Sequence, residues 1–148
     1  MVIRPYRSDD CAILAQIYYE TIHTVNAADY TKAQLDAWAT GNVDLGVWNE
    51  YFLARHSFVA ELDGKIVGFA DMDDSGYLGR LYVHHQHQGQ GIGKALYEAA
   101  EQAVDVPKYT LHSSITAKPF YEKLGYRTVE MRQMPRQDQF ITIFVMEK

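Results

Sequence analysis

Residues 86–96 read QHQGQGIGKAL, with glycine at 89, 91 and 93 and a lysine at 94. Glycine at that density suits neither a strand nor a helix interior. Yet the apolar stretch Tyr77 to Val83 runs into it. Beyond it, apolar residues recur at 92, 95, 96, 99, 100, 103 and 104, a spacing that predicts a helix with one buried stripe. The segment therefore reads as strand, glycine turn, helix. The first N–H groups of a helix lack partners within it and carry the positive end of its dipole. Small residues let an anion approach them closely.

Two common nucleotide loops are disfavoured by counting. A Walker-type loop needs G-x-x-x-x-G-K-[ST], but counting back from Gly93-Lys94 puts Gln88 where the first glycine belongs, and Ala95 stands where the hydroxyl belongs. A dinucleotide loop needs G-x-G-x-x-G. Started at Gly89 it ends on Lys94, and started at Gly91 it ends on Leu96. What remains is Q-x-x-G-x-G, formed by Gln88, Gly91 and Gly93.

Around this segment the chain reads as one domain, 1–148, of mixed class. Strands are expected at 2–6, 57–62, 65–70, 77–83, 109–113, 126–134 and 139–146. Asp63-Gly64 marks a two-residue hairpin. Ser8 reads as a helix N-cap ahead of Ile13, Leu14, Ile17 and Tyr18, and 23–30 reads as a loop. Thr31 and Gln34 form a capping box, a third helix covers 44–55, and a short one covers 117–124 before Gly125. The resulting order, β-α-α-α-β-β-β-α-β-α-β-β, is that of an α/β or α+β domain.

Composition narrows the partners. A net charge of −5 argues against nucleic acid and suits a cationic small molecule. Cys11 is the one cysteine, so no intramolecular disulfide exists and a cytoplasmic, reducing compartment is expected. No apolar run is long enough for a membrane span. Histidines at 84, 85, 87 and 112 lack metal-ligand spacing, and no metal is expected.

A second motif, SITAKPFYEKLGY at 114–126, follows the glycine segment after one helix and one strand. Together the two resemble the GCN5-related N-acetyltransferases. The first resembles that family's pyrophosphate loop. The second supplies Ser114, Ala117, Phe120, Tyr121, Gly125 and Tyr126 at the family's places. The stretch 29–39, DYTKAQLDAWA, resembles a group of small, mostly uncharacterised bacterial-type acetyltransferases. The resemblance implies a mostly antiparallel sheet with a splayed pair of strands, and acetyl-coenzyme A as co-substrate.

The resemblance also implies roles. The backbone at Leu81, Tyr82 and Val83 holds the pantetheine arm, with a backbone N–H near the thioester carbonyl. Gln88, Gly89, Gln90, Gly91, Ile92, Gly93 and Lys94 surround the diphosphate. Ser114, Ala117 and Phe120 line the same site, and Tyr121 is the general acid that protonates the departing thiolate. Some relatives carry a glutamate base six residues before the place of Val83. Here that residue is Tyr77, a poor base near pH 7. Asp71 or Asp73, nearby in sequence, is then expected to work through water. The acceptor pocket is expected to draw on His23, Asn26, Tyr30, Trp38 and Trp48, with Tyr30 and His23 the better functional choices and Trp38 the better core residue. The implied reaction is direct transfer to a small primary amine. A coenzyme A-binding module without chemistry, or transfer to a protein N-terminus or lysine, stands as the alternative. The apolar strand at 140–146 suits either a homodimer contact or a central strand.

Overall fold

A computed structural model describes residues 1–148. Its strands form one seven-stranded sheet, β1 (Val2–Pro5), β2 (His56–Leu62), β3 (Lys65–Met72), β4 (Tyr77–Val83), β5 (Thr110–Ser114), β6 (Arg127–Arg136) and β7 (Gln139–Glu147). Their spatial order is β1-β2-β3-β4-β5-β7-β6. Every neighbouring pair is antiparallel except β4 and β5. The helices are α1 (Cys11–Thr24), α2 (Lys32–Trp38), α3 (Leu45–Leu53), α4 (Ile92–Ala103) and α5 (Lys118–Lys123). The order and class expected from sequence are those observed. No helix is long and apolar enough to cross a membrane.

Each face of the sheet is covered by the apolar stripe of its helices. On one face Leu14 and Ile17 of α1 and Trp48 and Phe52 of α3 pack on Val59 and Phe69. On the other, Leu96, Tyr97 and Ala100 of α4 meet Ala60, Ala70, Met72, Leu78 and Leu111. Leu35 of α2 packs with Ile141 and Ile143 of β7, which places that strand between β5 and β6 and makes it a central one.

Three local expectations are corrected. Ser8 does not cap α1. Residues 8–10 form a short 3-10 turn instead, and the Asp10 carboxylate accepts hydrogen bonds from Arg4 (2.9 Å to each oxygen) and from the Arg7 amide (2.8 Å). Helix α1 also runs through His23 to Thr24, because Ile17, Thr21 and Ile22 continue its buried stripe. The strand expected at 65–70 runs on to Met72, so Asp71 belongs to β3 and is fully buried.

Candidate active site

Strands β4 and β5 pair only at Tyr77–Thr110 and Leu78–Leu111. Beyond Leu78 they part. His84 N–H bonds the Val67 carbonyl (2.8 Å) in the same antiparallel register that pairs Tyr82 with Phe69. Antiparallel alternation then turns the amides of Leu81 and Val83 away from β3, toward the open side. A cleft of about 670 Å³ occupies that side, lined among others by Leu81, Tyr82, Val83, Ser114, Ala117, Phe120 and Tyr121.

The cleft continues to the start of α4, where Gly91 is the N-cap at φ +80°. A residue with a β-carbon adopts that angle only under strain. No side chain caps this helix, and Ala95 N–H to the Gly91 carbonyl (3.1 Å) begins its ladder. The amides of Ile92, Gly93 and Lys94 therefore face outward as a cradle for an anion. Gly93 has another cause. A β-carbon there would lie 3.2 Å from the Phe120 ring, so its absence lets α4 pack against α5. Gln88 does not reach toward an anion. Its Nε2 donates to the Val83 carbonyl (2.6 Å) and ties the loop to the end of β4, and Thr21 Oγ1 donates to the same oxygen (3.2 Å). Lys94 lines the cleft but stays largely exposed beside Glu98. Gln90 is exposed outside the cleft lining. Ser114 Oγ accepts from the Ala117 amide (3.0 Å), fixing the turn into α5.

Tyr121 lines the cleft at 6% exposure, and no protein group hydrogen-bonds its hydroxyl. Burial, and after it the nearby Tyr126 and Asp71, pushes its pKa well up, so the phenol is held protonated and can donate.

The carboxylates fall elsewhere. Asp73 Oδ1 accepts from Ser75 N–H (2.9 Å), Ser75 Oγ–H (2.6 Å) and Tyr77 N–H (3.1 Å), closing the β3–β4 turn outside the cleft. Asp71 is fully buried and is not part of the cleft lining. Tyr51 donates to Oδ1 (2.8 Å) and Arg80 N–H to Oδ2 (3.0 Å). Gly79 and Arg80 together oppose Asp71, because Leu81 pairs with Ala70 and Leu78 with Met72. Asp71 thus secures a β-bulge, and its hydrogen-bond partner Tyr51 lines the cleft. Tyr77 lines the cleft with its ring 5.5 Å from His112, edge to face.

The acceptor candidates divide. Asn26 and Trp38 line the cleft. Tyr30 does not: its hydroxyl donates to the Thr142 carbonyl (2.7 Å) and accepts from Ile115 N–H (2.8 Å), pinning α2 to the sheet. His23 is held by the Ala39 carbonyl (2.8 Å) and the Tyr19 ring. Of these three, Trp38 lines the cleft and Tyr30 and His23 do not. Trp48 sits in the α1–α3 core and walls a neighbouring cavity.

Among the cleft residues that sequence reasoning missed are His112 and Arg80. His112 projects from β5 with its residue surface exposed, and partial desolvation of the ring, with Arg132 and Arg136 nearby, lowers its pKa. Arg80 lies on the cleft wall, and its signal was a lone charge inside the apolar strand YLGRLYV. The remaining histidines cluster differently. Ligand atoms of Glu20, His84 and His85 lie within 4.8 Å of one another. Both nitrogens of His84 are already engaged, with the Gln86 amide (3.1 Å) and with Glu20 (3.3 Å).

Residues 26–148 match the family described as Acetyltransferase (GNAT) domain. The chain is 30% identical to the L-amino acid N-acyltransferase MnaT of Escherichia coli, over 92% of this chain and 84% of MnaT. A GCN5-related N-acetyltransferase of Rhodopseudomonas palustris superposes with a TM-score of 0.95 at 27% identity, covering 99% and 94% of the two chains. PaiA N-acetyltransferase of Thermoplasma acidophilum, solved with coenzyme A, shares the fold (TM-score 0.81, 19% identity, 99% and 97% covered).

Proposed function

Because this chain belongs to the GNAT family of acetyl-CoA-dependent acyltransferases, we propose that it passes the acetyl group directly to a small-molecule primary amine in a ternary complex. The observation that carries the reading is the parting of β4 from β5 after Leu78, with an uncapped helix start lining the same cleft. The name of MnaT, an L-amino acid N-acyltransferase, supports a small acceptor.

The chemistry follows from the residues. The diphosphate rests on the amides of Ile92 to Lys94, and the pantetheine arm follows the free edge at Leu81 and Val83. An ammonium acceptor first gives up one proton. His112, a solvent-exposed cleft residue held neutral near pH 7 by partial desolvation and neighbouring arginines, offers a free imidazole nitrogen to take it. The amine nitrogen then attacks the thioester carbon, and a backbone amide at the free edge steadies the developing oxyanion. The N–C bond forms, the C–S bond breaks, and sulfur leaves with the electron pair. Tyr121 protonates that sulfur and is reprotonated from solvent, while the nitrogen loses its second proton. The products are the amide, coenzyme A thiol and one proton.

Free-thiol release with a panel of primary amines tests the reading, alongside thermal stabilisation by acetyl-CoA. Tyr121→Phe is expected to lower kcat by roughly a hundredfold or more while leaving that stabilisation in place. An unchanged kcat would remove Tyr121 from the acid role. Stabilisation by acetyl-CoA without thiol release from any amine would contradict transfer to small acceptors.

A further inference from the structure

The bulge secured by Asp71 has a second product: it sets Arg80 among the aromatic rings of the α1–α3 face. The guanidinium carbon lies 4.1 Å from the Tyr51 ring centre and 4.6 Å from that of Trp48, with Tyr18 and Phe52 each at 5.9 Å. Gly79 makes the bulge possible, since a β-carbon there would come within 2.1 Å of the Tyr51 hydroxyl and 2.3 Å of Asp71 Oδ1. Burying a cation is costly unless an anion accompanies it. Aromatic faces and the nearby charge of Asp71 offset part of that cost, but no carboxylate oxygen hydrogen-bonds the guanidinium. The oxygens of Asp71 are taken by Tyr51 and by the backbone N–H of Arg80, and Arg55 shares its charge from 4.0 Å. Arg80 Nη1 is buried with no hydrogen-bond partner.

Arg80 stands at a junction. Together with Tyr18 and Trp38 it lines both the acetyl-CoA cleft and a second cavity of about 640 Å³ under α1. That cavity is walled mainly by Ala12, Ala15, Val43, Leu45 and Trp48. Neither lining contains an aspartate or glutamate, although the protein as a whole carries a net charge of −5. Polycationic acceptors find no counter-charge there. A ligand with one carboxylate does.

We propose that the acceptor is an α-amino acid with an apolar or aromatic side chain, its carboxylate held by Arg80 and its side chain lodged in the cavity under α1. The inference rests on the transfer reading above and deepens it by naming the acceptor class. A carboxylate on the half-buried Arg80 gives its buried Nη1 the partner it lacks. It also fixes one end of the acceptor, so that its amino group, one carbon away, points into the cleft lined by Tyr121.

The test pairs L-phenylalanine, L-leucine and L-methionine with their decarboxylated amines in thiol-release assays, on the wild-type chain and on Arg80→Gln. Wild type should favour the amino acid in kcat/KM by roughly 10- to 100-fold, mostly through KM, as expected for one charge-assisted hydrogen-bonded contact. Arg80→Gln should lose the preference while acetyl-CoA still stabilises it. Equal use of both partners by wild type would overturn the proposal, as would a preference that survives in Arg80→Gln. If no amine releases thiol while acetyl-CoA still binds, calorimetric titration of L-phenylalanine and 3-phenylpropionate into the coenzyme A-saturated protein decides. Binding of both that depends on Arg80 sustains the carboxylate seat and sinks only the transfer reading. Absence of binding overturns the seat.

Discussion

Helices α2 and α4 begin with the same physical problem and solve it oppositely. At α2, Thr31 Oγ1 accepts from Gln34 N–H (3.1 Å) and Gln34 Oε1 accepts from Thr31 N–H (2.9 Å). At α3 Asp44 does likewise for Val47 (3.2 Å). These ends are closed from within and serve as scaffold. At α4 the N-cap is a glycine with no side chain to offer, and the amides stay directed at the cleft. A helix with glycine in place of a capping side chain forgoes roughly a few tenths of a kcal/mol of stability and keeps a binding surface made of backbone.

That contrast can be broken at its open end. Gly91→Asp gives α4 a carboxylate of its own, and nothing lies within 4 Å of the added β-carbon. Aspartate tolerates the left-handed angle better than most residues. Acetyl-CoA should bind roughly a hundredfold or more weaker, since the diphosphate then meets a like charge in place of free donors. The strain of the left-handed angle should cost about 1 kcal/mol and lower the melting temperature by roughly 2–4 °C. Retained affinity by calorimetry would place the diphosphate elsewhere.

Asp71 sharpens the contrast at a third backbone donor, Arg80 N–H, which is satisfied from within. Burial pushes the Asp71 carboxyl up to about 6 from 3.8. Between those values the folded chain keeps a proton that the unfolded chain has released. Stability from this group is therefore full below about pH 4 and falls as pH rises through about 6. Asp71→Asn lacks the titration. The stability of wild type minus that of Asp71→Asn should fall by up to about 3 kcal/mol across this window, as read by denaturant melts. A flat difference would contradict the assignment.

The smallest effect belongs to the closed end. Thr31→Ala should cost about 1 kcal/mol in stability and leave acetyl-CoA affinity unchanged. A weakened affinity would show that the two helix starts are coupled.

What could be read from sequence follows the same division. The stripe of α4, the Asp63-Gly64 hairpin and the Thr31–Gln34 box are set by residues a few positions apart, and each is visible locally. The glycine loop and the 114–126 motif pointed to the cleft for the same reason. The place of Tyr30 could not be read, because its hydroxyl bridges Thr142 and Ile115, 112 and 85 positions away. Nor could His112 or Arg80 be placed, since where β4 parts from β5, and where the bulge turns a side chain, are matters of strand register. The net negative charge pointed toward cationic acceptors, whereas the cleft wall carries Arg80, Lys94 and Arg136 and no carboxylate. Total charge does not report local charge.

The central claim is that the free amides at the start of α4 hold the coenzyme's diphosphate. It is tested most directly by amide chemical shifts during titration with coenzyme A and, separately, with pantetheine, which lacks the diphosphate. The amides of Ile92, Gly93 and Lys94 should move strongly with coenzyme A and little with pantetheine, while Leu81 and Val83 respond to both. Equal shifts at 92–94 with the two ligands, or none with coenzyme A, would contradict it.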